Sequence, residues 1–157
     1  MRVKTKQELN TEGIMFEIKK SILIDAPIEK VFGFMEDPTN LPEIWPSMIE
    51  VTNVRKNDKV WNSFDWVYKM GGMKINGHSE TVELTQNKSI TTESTEGIQS
   101  RFDWHFKEIE GKTQLEVISK YSIPVALVGK IAEKILSKLN EHEAEVFLAN
   151  LKARMEE

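Results

Sequence analysis

Residues 16–54 read FEIKKSILIDAPIEKVFGFMEDPTNLPEIWPSMIEVTNV, and their order decides the fold. Phe16, Ile18, Ile22 and Ile24 share a parity that predicts a strand with one apolar face. Asp25 stops it and is placed to cap a helix. Pro27 suits that helix's first turn, where a missing N–H has no partner to lose, and Val31, Phe32 and Met35 supply an apolar stripe. Asp37-Pro38 repeats the device for a second, shorter helix holding Leu41, Ile44 and Trp45. Pro42 limits this helix, and Pro46 forces an extended exit into a strand from Met48 to Arg55.

From Trp61 onward the pattern predicts a meander of five strands. Its turns fall at Gly71-Gly72, Asn87-Lys88, Glu96-Gly97 and Glu110-Gly111, residue types that tolerate positive φ. Ile98, Ser100, Phe102, Trp104 and Phe106 alternate with Gln99, Arg101, Asp103, His105 and Lys107, so one face is apolar and the other wet. Leu115, Val117, Ser119, Tyr121 and Ile123 repeat the pattern, and Phe64, Trp66, Tyr68 and Met70 make a third row. The strand from Met73 changes parity, with Met73 and Ile75 on one register and Val82 and Leu84 on the other, and a bulge near Gly77 would reconcile them. Pro124 ends the last strand.

A long helix is predicted from Leu127 to about Arg154. Val128, Ile131, Ala132, Ile135, Leu139, Val146, Ala149 and Ala153 recur every three or four positions and are expected to face the sheet. Ala144, Leu148, Leu151 and Met155 form a second ridge. A bare Leu-Leu-Met row is an unusual exposed patch, so the arm at residues 1–13 or a second subunit, making a homodimer, is expected to cover it.

Composition narrows the function classes. A chain of 157 residues reads as one domain, here 14–157, preceded by a polar, charge-rich arm at 1–13. A net charge of −4, with acidic and basic residues interspersed, argues against a nucleic-acid partner, which requires clustered Lys and Arg. The absence of cysteine removes disulfides, thiolate chemistry and Cys-ligated metals, and suits a reducing cytoplasm. No run approaches the ~20 apolar residues of a membrane span.

The order of one strand, two short helices, six strands and a long helix resembles the helix-grip architecture of the START-like (SRPBCC) superfamily over about residues 14–154. Asp25-Ala26-Pro27-Ile28-Glu29-Lys30-Val31-Phe32 and Asp37-Pro38-Thr39-Asn40-Leu41-Pro42-Glu43-Ile44-Trp45-Pro46 resemble the opening of its polyketide cyclase/dehydrase type. The resemblance implies an α+β fold: a curved antiparallel sheet of about seven strands wrapped around a long C-terminal helix, with a cavity between them for sterols, lipids, polyketides or other apolar molecules. In that frame, strand parity predicts cavity walls of Trp66, Tyr68, Phe102, Trp104, Leu115, Val117 and Tyr121, under a lid of Ile131, Ile135 and Leu139. Such pockets run to roughly 300–1,000 Å³.

Candidate chemistry is sparse. His78 and Glu80 lie two apart on one strand; if the bulge precedes them they point inward together, as a general base or a ligand-orienting pair. Otherwise both lie on the outer face. His142 falls between Leu139 and Val146 on the stripe expected to face the sheet, where it needs a partner such as Tyr68, Tyr121 or Ser119. Thr92, Ser94 and Glu96 share Ile90's parity and offer the cavity a polar patch, whereas His105 alternates outward. A phosphate loop, a His-Glu-x-x-His run and a nucleophile elbow are all missing, so neither a cofactor nor a metal is expected. The leading expectation is binding or transport of an apolar or aromatic small molecule. The alternatives are a cyclase, aromatase or dehydratase in which His78, Glu80, His142 or a tyrosine moves protons, and a protein-interaction module of chaperone-activator type working through the Ala144/Leu148/Leu151/Met155 ridge.

Overall fold

The computed structural model describes the backbone of residues 13–56, 62–124 and 133–157, and the side chains of 14–56, 62–123 and 138–157. The element order is β1 (Gly13–Ile24), α1 (Ile28–Met35), a 3-10 turn (Pro38–Asn40), α2 (Leu41–Ile44), β2 (Met48–Lys56), β3 (Asn62–Met70), β4 (Met73–Thr85), β5 (Ser89–Glu96), β6 (Gln99–Ile109), β7 (Lys112–Pro124) and α3 (Glu133–Met155). The seven strands form one antiparallel sheet in the order β1-β7-β6-β5-β4-β3-β2. This is the helix-grip fold. Of the arm expected at 1–13, only Gly13 falls within the described residues, and it opens β1.

The turns form where the sequence places them, with positive φ at Gly71, Gly72, Asn87, Gly97, Glu110 and Gly111. Asp37 caps the 3-10 turn, its carboxylate accepting from the Thr39 N–H at 3.0 Å. Asp25 does not cap α1. The N-cap is Pro27, and the Asp25 N–H instead donates to Glu156 Oε2 at 2.8 Å, which joins the end of β1 to the residue that follows α3.

Two packing expectations are overturned. β4 changes parity at Val82, where the β4–β5 register shifts between Thr81 and Glu83; another shift, between His78 and Ser79, lies beside Gly77 but puts its extra residue on β5, and the β3–β4 pairing runs unbroken there. The extra residue of β4 therefore sits five positions later than predicted. The second correction concerns the phase of α3. Ala144, Leu148, Leu151 and Met155 are buried in the chain's own core, with Leu151 fully enclosed; Leu139 is 48% exposed and His142, Ala149 and Ala153 face water. The ridge thus needs neither an arm nor a second subunit, and it cannot serve as a homodimer or partner-docking surface. Val128, Ile131 and Ala132 lie outside the described residues.

Polar bonds fasten α3 along its C-terminal half. Lys20 of β1 reaches Glu141 at 3.2 Å and Glu145 at 3.1 Å. Asn150 Nδ2 donates to the Ile44 carbonyl, Lys152 Nζ to that of Leu23, and Lys30 Nζ to that of Met155. The last bond occupies a carbonyl that a helix end leaves without an intrahelical partner. Arg154 pairs with Glu43 at 3.2 Å and stands over the Phe34 ring.

Candidate functional site

Alternation along β3, β6 and β7 turns one row of large side chains toward α3. Phe64, Trp66 and Met70 are buried on β3, Trp104 and Phe106 on β6, and Leu115, Val117, Ser119, Tyr121 and Ile123 on β7. Trp45, just past α2, meets three of the rings that gather here: Tyr68 at 5.9 Å, Phe102 at 5.3 Å and Phe147 of α3 at 4.9 Å between centroids. Phe147 also lies 5.4 Å from Trp104. Edge and tilted contacts of this kind are favoured pair geometries for aromatic rings.

The space between them is a partly open cavity of about 110 Å³. Its lining includes Trp66, Tyr68, Phe102, Trp104 and Tyr121, five of the residues predicted for the wall. Leu115 and Val117 are fully buried but do not reach it. They fill the core beneath. Leu139, predicted for the lid, points to solvent, while Ile131 and the Ile135 side chain lie outside the described residues. The helix face that does line the cavity carries Asn140, Glu143, Ala144 and Phe147, spaced as one stripe of a helix. At about 110 Å³ the space is well below the range expected for a pocket of this class, and closer to the ~150 Å³ apolar cavity that accepts a benzene ring.

The acid–base candidates lie elsewhere. His78 and Glu80 are on the outer face of the sheet, because the bulge follows them rather than preceding them, and the inward residues are Ser79 and Thr81. His78 Nδ1 sits 2.7 Å from Asp65 Oδ1 and its Nε2 3.7 Å from Glu80. Asn53 Nδ2 donates to the other Asp65 oxygen at 2.8 Å. The bonds from Asn53 and His78 hold the Asp65 carboxyl below its usual range. His142 faces water, as Leu139, Ala149 and Ala153 do, and His105 is exposed as predicted. Of the expected polar patch, Thr92 lines the cavity, Ser94 donates to the carbonyls of His78 and Glu96, and Glu96 is exposed.

Of the polar groups that border the cavity, the two tyrosines, Thr92, Ser100 and Ser119 stand on rows that strand alternation turns inward, whereas Glu36, Ser79, Thr81, Asn140 and Glu143 were not anticipated there. Trp66 Nε1 donates to Ser79 Oγ at 2.9 Å. Glu143 Oε1 accepts from the Ser47 N–H at 2.8 Å, tying α3 to the α2–β2 junction. Burial pushes the Tyr68 hydroxyl up to about 12, Glu143 adds to the rise, and Trp45 and Ser47 close to the hydroxyl pull it weakly back. Burial raises Tyr121 still further. Trp45 Nε1, Tyr121 Oη and Asn140 Nδ2 are buried with no hydrogen-bond partner among the described residues. No group of His, Cys, Asp or Glu among those residues is arranged to hold a metal ion, and no helix among them is long and apolar enough to cross a membrane.

A family model described as polyketide cyclase / dehydrase and lipid transport matches residues 15–156. Among solved structures, the chain is similar to TTHA0849 of Thermus thermophilus, with a TM-score of 0.71 and 22% identity over 88% of this chain and 96% of that one. It is similar to the Zhui aromatase/cyclase of a Streptomyces species, with a TM-score of 0.75 and 14% identity over 90% of this chain and 94% of the other. A START superfamily protein from Mycobacterium smegmatis also gives 0.75 and 14%, over 89% and 97% of the two chains. Among curated proteins, no sequence matches the chain.

Proposed function

Because the chain belongs to the polyketide cyclase / dehydrase and lipid transport family, within the START-like superfamily, we propose that it binds an apolar or aromatic small molecule between its sheet and α3, as a carrier in a reducing cytoplasm. The observation that carries this reading is the cavity itself. Trp45, Trp66, Tyr68, Phe102, Trp104 and Phe147 converge on it and still leave about 110 Å³ between them. Native cores leave few gaps larger than a water molecule, and side chains of this size could pack one shut. A preserved aromatic-walled space is the ordinary form of a small-molecule site.

The cyclase or dehydratase alternative needs a proton-moving group at the cavity; His78, Glu80 and His142 are turned away from it, so that reading would rest on Tyr68, Tyr121, Glu36 or Glu143, which line it. Titration with a panel of lipids, quinones, sterols and aromatic ketones tests the carrier reading through tryptophan fluorescence and melting temperature. At least one class should quench the indoles and raise the melting temperature, equally in wild type, His78→Ala and His142→Ala. A panel that moves neither signal overturns the proposal.

A further inference from the structure

The cavity's unpaired polar groups lean to one side. Trp45 Nε1 and Asn140 Nδ2 carry only N–H groups, and the Tyr121 hydroxyl stays protonated at neutral pH because burial raises its pKa. All three can donate, the tyrosine hydroxyl being able to accept as well, and none makes a hydrogen bond of full geometry to a described residue. Native proteins rarely leave buried donors unpaired, since each then bears its full desolvation penalty. The Tyr68 hydroxyl lies close to Trp45, so the two groups most in need of an outside acceptor are Tyr121 and Asn140. They come from opposite walls. Tyr121 stands on β7 and is 8% exposed; Asn140 stands on α3 and is 9% exposed; both line the cavity.

The charges around them narrow what that acceptor is. The charged side chains lining the cavity are Glu36 and Glu143, and no Lys, Arg or His lines it among the described residues. A carboxylate or phosphate entering there would give up its hydration, meet no cation and face two acids. An uncharged carbonyl oxygen meets none of those costs and has lone pairs for both donors. The size of the space, about 110 Å³, suits a single ring better than a fused-ring skeleton.

We propose that the site selects a neutral one-ring carbonyl compound, with Tyr121 Oη and Asn140 Nδ2 donating to its oxygen from the sheet and the helix. This deepens the carrier reading and rests on it. Each donor is closed off from water, so the oxygen reaches them as α3 shifts slightly from the sheet. The aromatic walls supply apolar affinity to any ring of that size, and the two donors supply the discrimination.

Three probes of matched shape test this by calorimetry on wild type, Tyr121→Phe and Asn140→Leu: acetophenone, ethylbenzene and benzoate. At about 1 kcal/mol for each hydrogen bond gained, wild type should prefer acetophenone to ethylbenzene by about tenfold or more, and benzoate should bind weakest. Each substitution should reduce the preference by several-fold while leaving ethylbenzene affinity within about twofold. Neither change removes a hydrogen bond made to a described residue, so both variants should melt at or above the wild-type temperature. Equal affinity for acetophenone and ethylbenzene, or a preference that survives both substitutions, overturns the donor assignment and leaves the carrier reading standing. Failure of all three probes in wild type overturns the assignment as well, and failure of the wider panel in addition brings down the carrier reading with it.

Discussion

The Trp66 indole lies against the backbone of its cross-strand partner Gly77, so closely that a Cβ added at residue 77 would stand 2.1 Å from Trp66 Cζ2. Gly77 has no positive φ, so this glycine is required by space and not by backbone conformation. Its absent side chain lets the ring lie down along the sheet, where Nε1 reaches Ser79.

Gly77→Ala should therefore destabilise the fold through overpacking, by about 2–3 kcal/mol. Displacing the indole also breaks its bond to Ser79 and changes one wall of the cavity. Urea unfolding would register the loss, and a shifted tryptophan emission maximum in the native state would locate it at Trp66.

Alkaline pH should weaken the protein through Tyr68. Its hydroxyl titrates near its ordinary value of 10.0 in the unfolded chain and at about 12 when folded. Between those values the unfolded state binds fewer protons, so stability falls as pH rises. The contribution is fully present below pH 10 and is lost on passing through 10 to 12. Allowing for partial exposure, it amounts to about 1–2 kcal/mol, and Tyr121 acts in the same direction. Melting curves at pH 9, 10 and 11 should show a smaller decline in Tyr68→Phe than in wild type; identical declines would refute the assignment.

Leu151→Ala should cost about 3–4 kcal/mol, the loss expected from emptying a fully enclosed leucine site. Because that residue belongs to the chain's own core, sedimentation should show no change of oligomeric state in the folded fraction. A variant that kept its stability while shifting an association equilibrium would return the ridge to the surface.

The fold could be read from the sequence because its punctuation is local. Proline and aspartate mark the helix starts, residues tolerant of positive φ mark the turns, and period-two alternation on β3, β6 and β7 orients three rows of rings correctly. The phase of α3 could not be read in the same way. Ile135, Leu139 and Val146 make one periodic stripe; Ala144, Leu148, Leu151 and Met155 make another, and period alone does not rank them. Phe147 breaks the tie. The largest apolar side chain described on the helix is buried between Trp45 and Trp104, and weighting the stripes by side-chain size would have chosen the correct face. The bulge at Val82 escaped for a different reason. Gly77 seats the Trp66 ring and stands beside a register shift between His78 and Ser79, but there the extra residue is on β5; the extra residue that changes the parity of β4 carries no compositional sign.

Five of the six strand pairings join neighbours in sequence, and the sixth, β1 with β7, brings together Ile24 and Thr113 across 89 positions. A meander can zip hairpin by hairpin, each closing a short loop, whereas that last pairing must overcome the entropy of a chain segment more than half the length of the molecule. Assembly is thus expected to be two-paced: a quick accumulation of local hairpins, then a slower capture of one distant edge, with the long helix able to seat fully only once that edge is in place.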